Sequence, residues 1–185
     1  MWAGGRLELL SPLRVDDRVR RTTTITDIQK KSGRSGELWF VNVDHEYATQ
    51  RGVAIRERQD IVYRAPAGPD SEPKAPTKTP ETVPDIPAVW RVSTPPTLLF
   101  RYSALIFVSH RIHYDLPYAT EIEGYEGLVV HGPLQATLLL NAVAKTFGTM
   151  PGRFTYRGVA PAIGGHDLEV CVDTSESGRF HTRSD

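Results

Sequence analysis

The chain is poor in sulfur, with one cysteine, Cys171, and two methionines in 185 residues. A single cysteine excludes an internal disulfide and a cysteine-rich zinc site, and it fits a reducing compartment. An excess of charge is also missing. Lys plus Arg and Asp plus Glu both count 22, so the formal charge is zero. That removes the electrostatic case for DNA, RNA or an anionic membrane as partner. Long apolar runs are absent too. The longest, Leu134 to Val143, is interrupted by Gln135, Thr137 and Asn141, which excludes a membrane-spanning helix. The first residues, MWAGGRLELLSPLR, show no charged start followed by an apolar block. Glu8, Asp16 and Asp17 come too early for a basic amphipathic presequence.

What is present divides the chain in three. Residues 1–65 read as strands. Arg18 to Ile28 is β-branched, Leu38 to Tyr47 alternates, and Val53 to Tyr63 follows, with turn signals at KKSGRSGE and Gln50-Arg51-Gly52. This predicts an antiparallel meander of about three strands without a core helix, which must pack against something else to be complete. Residues 66–87 form a Pro-rich linker, in a stretch where nine of the fourteen prolines fall between Pro66 and Pro96. Residues 88–185 form the second unit. Ala88 to Val92 reads as a strand, followed by Leu98 to Arg101 and Leu105 to Val108. Asp115 caps a short helix with Pro117 in its first turn, which Gly124 ends. A long helix starts at Gly132-Pro133 and stops at Phe147-Gly148. Its polar residues Thr137, Asn141 and Lys145 are spaced by four, so one narrow stripe faces water and the rest is wrapped. Arg153 to Arg157 and Leu168 to Val172 read as strands, and the polar tail TSESGRFHTRSD as frayed.

Candidate chemistry is concentrated in one stretch, Phe107 to Asn141. It holds three histidines, a His-x-Asp pair, two glycine turns and most of the long helix. His113 suits general acid–base work near neutral pH, because an imidazole titrates there; a loop histidine satisfied by its neighbours is the plainer reading. The amides at Gly132 and just beyond can stabilise a developing oxyanion, or merely begin a helix. His131 either lines a pocket or packs before the helix. Arg111 can meet a phosphate or stay solvated in its loop. Asp115 reads better as a helix cap than as an acid. No ligand spacing supports reading His110, His113 and His131 as a metal centre.

HRIHYDLPYA (His110 to Ala119) and EGYEGLVVHGPLQATLL (Glu123 to Leu139) resemble the MaoC-like double hot-dog hydratases and dehydratases. The nearest branch is the type 2 3-hydroxyacyl-thioester dehydratases and mesaconyl-CoA hydratase. MWAGGRLELLSPLRVDDRV and IRERQDIVYR resemble the non-catalytic first hot dog of the same proteins. The resemblance implies an α+β hot-dog fold, a curved antiparallel sheet wrapped round a long helix. Here it would be a degenerate double hot dog, with a partial N-terminal copy at 1–65 and the site-bearing copy at 88–185. It also implies a lyase of acyl-CoA or fatty acid metabolism. Such an enzyme reversibly adds water to a 2-enoyl thioester of CoA or acyl carrier protein, giving the 3-hydroxyacyl thioester. No cofactor or metal is needed, and a homodimer is compatible. Location stays open between mitochondrion and cytoplasm, since no targeting signal is visible.

Carried over by position, the family's histidine falls on His113 and its helix-start glycine on Gly132. His110, Arg111 and His131 are candidate substrate-binding residues near them, read from their place in the stretch. The family's Asp or Asn falls on Val108, which offers no polar side chain; Ser109 and His110 are its polar neighbours. Two further departures lie at the ends. Family members precede Met1 with another strand and helix, and continue with closing strands where this chain carries its polar tail, so the fold is expected to be clipped. Three functions follow: a working hydratase or dehydratase, a non-catalytic binder of acyl thioesters or a partner, and, ranked last, an acyl-thioesterase.

Overall fold

The computed structural model describes residues 2–33, 36–64, 86–173 and 180–184. Nearly all of the Pro-rich linker, through residue 85, lies outside them. The chain divides into two compact units: Met1–Ser71 with Pro151–Gly158, and Glu72–Met150 with Val159–Asp185.

The first unit is an antiparallel sheet of five strands. They are β1 (Trp2–Leu9), β2 (Arg20–Gly33), β3 (Gly36–Thr49), β4 (Gly52–Arg64) and β6 (Arg153–Arg157), in the order β2-β3-β4-β1-β6. The expected meander is β2-β3-β4. Its alternating, β-branched residues form long hairpins, with Gly33 opposite Gly36 in one and Thr49 opposite Gly52 in the other. Gly52 has φ +110, a backbone state open to glycine. The N-terminal strand β1 was not among the expected elements. Gly4 and Gly5 give it no side-chain pattern, but they admit its neighbours. A Cβ on Gly4 would lie 2.7 Å from the Tyr156 carbonyl oxygen, and one on Gly5 would strike the Arg58 carbonyl and the Tyr156 hydroxyl. The reading of 88–185 as one continuous unit also differs from the structure, because β6 leaves it to pair with β1. Among the described residues, this first unit contains strands only.

The second unit holds a three-stranded antiparallel sheet, β5 (Ala88–Ser93), β7 (Asp167–Val172) and β8 (Phe180–Ser184), in the order β5-β7-β8. Its helices are α1 (Pro96–Leu105) and α2 (Gly132–Phe147). The end of the polar tail is therefore a strand. Thr182 pairs with Val170 and its hydroxyl donates to Gln135 Oε1 at 2.7 Å, so a polar stretch is held by the ladder and by α2. The segment expected as extended at Leu98 to Arg101 is helical. Pro96 pre-sets the first turn, and Leu99 and Ser103, four apart, give α1 its buried face. The tertiary contact at Leu99, fully buried in the core, overrides the extended look of the Leu-Leu-Phe run.

The long helix α2 matches its expected ends, with Pro133 in the first turn and Gly148 left-handed at φ 71. Leu134, Ala136, Leu139, Ala142 and Val143 are buried, while Thr137, Asn141 and Lys145 are exposed. Each large apolar side chain so placed contributes roughly 1.5–3 kcal/mol of burial. A core of Leu99, Ile112, Leu128, Val130, Leu134 and Leu168 lies among α1, the 112–130 segment, α2 and β7. That core brings the Phe107–Asn141 stretch together.

Candidate active site

The site begins where α1 stops. Phe107 is left-handed, φ 54, and the Val108 amide donates back to the Ser103 carbonyl at 3.0 Å. The Phe107 amide donates to the Ala104 carbonyl, completing a helix stop of the kind glycine usually makes. The chain then enters a single 3₁₀ turn, Arg111–His113. An extended stretch, 128–131, runs beside it. The Val129 amide donates to the Ile112 carbonyl at 2.9 Å, and the Val130 amide to the Ala162 carbonyl at 2.8 Å. These backbone bonds fix His113 and His131 relative to each other before any side chain is considered.

His113 is buried, with 9% of its surface exposed, and its Nδ1 lies 2.7 Å from the Val129 carbonyl oxygen. A carbonyl only accepts, so Nδ1 carries the proton and Nε2 keeps the lone pair. Nε2 makes no hydrogen bond among the described residues. Burial lowers the His113 pKa below the ordinary 6.5, opposed by the Val129 carbonyl and aided by His110. The ring is therefore a neutral base at pH 7 with one nitrogen free to take a proton.

His131 stacks on His113, with ring centroids 3.7 Å apart and planes inclined by 16°. Its Nε2 lies 2.7 Å from the Ser103 hydroxyl, and Tyr102 meets its ring edge-on at 5.0 Å. Burial first, then the neighbouring His113, push its pKa down to about 3, so His131 is uncharged. His110 meets the His113 ring edge-on, with centroids 5.7 Å apart. The three histidines of the sequence reading thus come together, two stacked and the third edge-on. Imidazole lone pairs lie in the ring plane, so the parallel rings of His113 and His131 do not converge on one ion. Among the described residues, no group of three or more His, Cys, Asp or Glu is placed to hold a metal.

Arg111 is engaged elsewhere. Its guanidinium donates twice to Asp115 Oδ2, at 2.9 and 2.6 Å, and lies 4.2 Å over the Tyr118 ring. Asp115 Oδ1 accepts from the Tyr118 amide at 3.1 Å, which is the expected cap. The Arg111 bonds, then the Tyr118 amide, hold its carboxyl below the usual range. The short helix continues as a π-helical turn, Tyr118–Ile122, ended by Gly124 at φ 73. Gly132 follows His131 directly at the start of α2. Pro133 has no N–H, and the Gln135 amide already donates to the His131 carbonyl at 3.1 Å. The amides of Gly132 and Leu134 belong to the first turn, which has no acceptors within the helix.

A base with a bare Nε2, beside helix-start amides, suits proton transfer next to a polarised carbonyl. A model of the family described as hydroxyacyl-thioester dehydratase type 2 matches residues 1–164. The chain belongs to that family. It is 45% identical over 163 residues to the mesaconyl-C(4)-CoA hydratase of Chloroflexus aurantiacus, covering 87% of this chain and 56% of that protein. The chain therefore spans little more than half the length of that relative. Among solved structures it is similar to HtdX of Mycobacterium tuberculosis, with 18% identity and TM-score 0.73, covering all of this chain and 68% of the other. It is also similar to a second Mycobacterium tuberculosis protein described as having a double hotdogfold, with 14% identity and TM-score 0.56, covering 98% and 72%. These likenesses show the fold, α+β of the hot-dog type. No helix among the described residues is long and apolar enough to cross a membrane.

Within this dehydratase family chain, sequence reasoning missed Ser103, Tyr102 and the Val129 carbonyl. Ser103 is buried, at 5% exposure, on a helix whose first half the sequence pattern predicts as extended. The available signal was Pro95-Pro96 followed by Leu99 and Ser103 at helical spacing. The Val129 carbonyl has no sequence signal, since any residue supplies one.

Proposed function

We propose that this chain carries the site of a hydro-lyase that reversibly adds water to a 2-enoyl-CoA thioester, giving the 3-hydroxyacyl-CoA. The observation that carries the reading is the His113 ring, clamped through Nδ1 to the Val129 carbonyl with Nε2 left free. The family match and the likeness to the Chloroflexus mesaconyl-C(4)-CoA hydratase support the substrate class. In hydration, water lies against His113 Nε2, and its proton passes to that nitrogen as its oxygen bonds to C3. The electron pair moves through C2 to the thioester oxygen, where the amides of Gly132 and Leu134 donate to it. The same proton, or one from solvent, is then delivered to C2, and His113 returns to its neutral form. Dehydration is the reverse: neutral His113 takes the C2 proton and, now protonated, delivers it to the leaving hydroxyl as the C3–O bond breaks. His110 edges this ring, and His131 backs it.

A second reading rests on Val108. It stands where a polar partner for the water is expected and supplies no donor or acceptor. The chain would then bind acyl thioesters without turning them over. Both are tested by incubating the purified protein with crotonyl-CoA and mesaconyl-C(4)-CoA. Formation of the 3-hydroxyacyl-CoA without free thiol supports the hydro-lyase. Saturable binding without product supports the binder, and release of CoA thiol points to hydrolysis instead.

A further inference from the structure

Packing alone does not explain His131. At 1% exposure it is among the most buried large side chains, yet its Nδ1 has no hydrogen-bond partner. An apolar ring would fill the same space without leaving a polar atom unmet. Two of its features point at His113. Its plane lies nearly parallel to that ring at 3.7 Å, and its other nitrogen is tied to Ser103 at 2.7 Å. Ser103 sits on α1, and the Ile112 carbonyl and Val129 amide join the two strands of backbone bearing the histidines. The His113 ring thus meets a carbonyl at its edge and a flat, anchored imidazole on its face. The carbonyl alone sets one direction and leaves the ring free to rock about it. The stacked face removes that rocking.

Resting on the hydro-lyase reading, we propose that His131, anchored by Ser103, is a positioning residue that holds the plane of the His113 ring, whose tautomer the Val129 carbonyl sets. Its effect is on where the His113 Nε2 lone pair points. It touches no reacting atom.

The test uses the full chain and two readouts. In the first, the ring nitrogens of His113 are followed by ¹⁵N NMR without substrate. In the second, kcat and KM are measured on crotonyl-CoA. Replacing His131 by Ala is expected to broaden and shift the His113 ring-nitrogen signals as the ring gains freedom to rock, and to lower kcat about 10- to 100-fold, with KM within about twofold. His131→Phe, which restores a flat face, should recover most of both signals. Ser103→Ala should give an intermediate loss, and it carries the test by itself if His131→Ala does not fold. Unchanged kcat together with an unchanged His113 spectrum in these variants overturns the proposal. A rise in KM alone also overturns it, by placing His131 on the substrate. Wild-type protein without turnover would overturn the hydro-lyase reading instead, and the NMR arm would still decide the ring geometry.

Discussion

Two buried histidines, one in each unit, set out what makes a site. His45 lies in the middle of β3 and is 8% exposed, and its Nδ1 is 2.8 Å from the Thr23 hydroxyl across the ladder. His113 lies in a one-turn helix and is 9% exposed, with its Nδ1 2.7 Å from the Val129 carbonyl. Burial and distance are nearly equal, but the partners differ. A hydroxyl donates or accepts, so His45 adapts to either tautomer; a carbonyl only accepts, so His113 is fixed in one. The first arrangement belongs to cross-strand packing. The second orients a base. Surroundings differ too. His45 stands beside a Tyr47 ring at 6.3 Å, whereas His113 is stacked on a neutral imidazole and lies close to the start of a sixteen-residue helix. Burial by itself therefore does not set a histidine's tautomer; the identity of its partner does.

The comparison breaks most sharply on substitution. His113→Gln is expected to lower kcat on crotonyl-CoA by about 10²–10⁴, with the circular dichroism spectrum unchanged. His45→Gln should leave kcat within a few-fold and act on stability instead. Equal losses in the two variants would remove the distinction.

The next effect is in acid. Burial lowers the pKa of both His113 and His131, the latter to about 3. A depressed folded pKa means that the unfolded chain binds the proton better below 6.5. The stability contributed by keeping these rings neutral is present above pH 6.5 and is lost as pH falls toward 3. Urea unfolding midpoints between pH 7 and pH 4 should fall steadily, and a flat profile would contradict the burial of both rings.

Much of this was legible beforehand, and the failures have physical reasons. The strands β2, β3 and β4 and the helix α2 carry strong periodicity and glycine stops, which act locally, so their outline follows from the sequence. His113, His131 and Gly132 were legible because they crowd one stretch. The strand β1 was hidden by Gly4 and Gly5, whose role is to admit Tyr156 from a strand some 150 residues on. The helix α1 was hidden because Leu99 is chosen by the core rather than by propensity. The Ser103–His131 bond spans 28 residues and has no local trace.

Val108→Asn tests the position where the hydro-lyase reading expects a polar partner for the water. An added hydrogen bond to the attacking water is worth about 0.5–1.5 kcal/mol, so kcat should rise roughly two- to tenfold. A loss of activity would mean that Val108 packs against substrate. The smallest effects concern the two helix stops, one made by Gly148 at φ 71 and one by Phe107 at φ 54. Gly148→Ala should cost about 1 kcal/mol, since no atom crowds the position and only the backbone state resists. Phe107→Gly should gain a similar amount, read as a rise in Tm. Opposite signs confirm that both ends are set by the left-handed residue.

The most direct test joins structure to rate in one titration. The His113 ring nitrogens are followed by ¹⁵N NMR from pH 8 to pH 4, alongside kcat/KM for crotonyl-CoA hydration. The predicted result is a single midpoint below 6.5 for both, with rate lost as His113 gains its proton. An acid limb that falls at a pH where His113 does not titrate would contradict its role as the base.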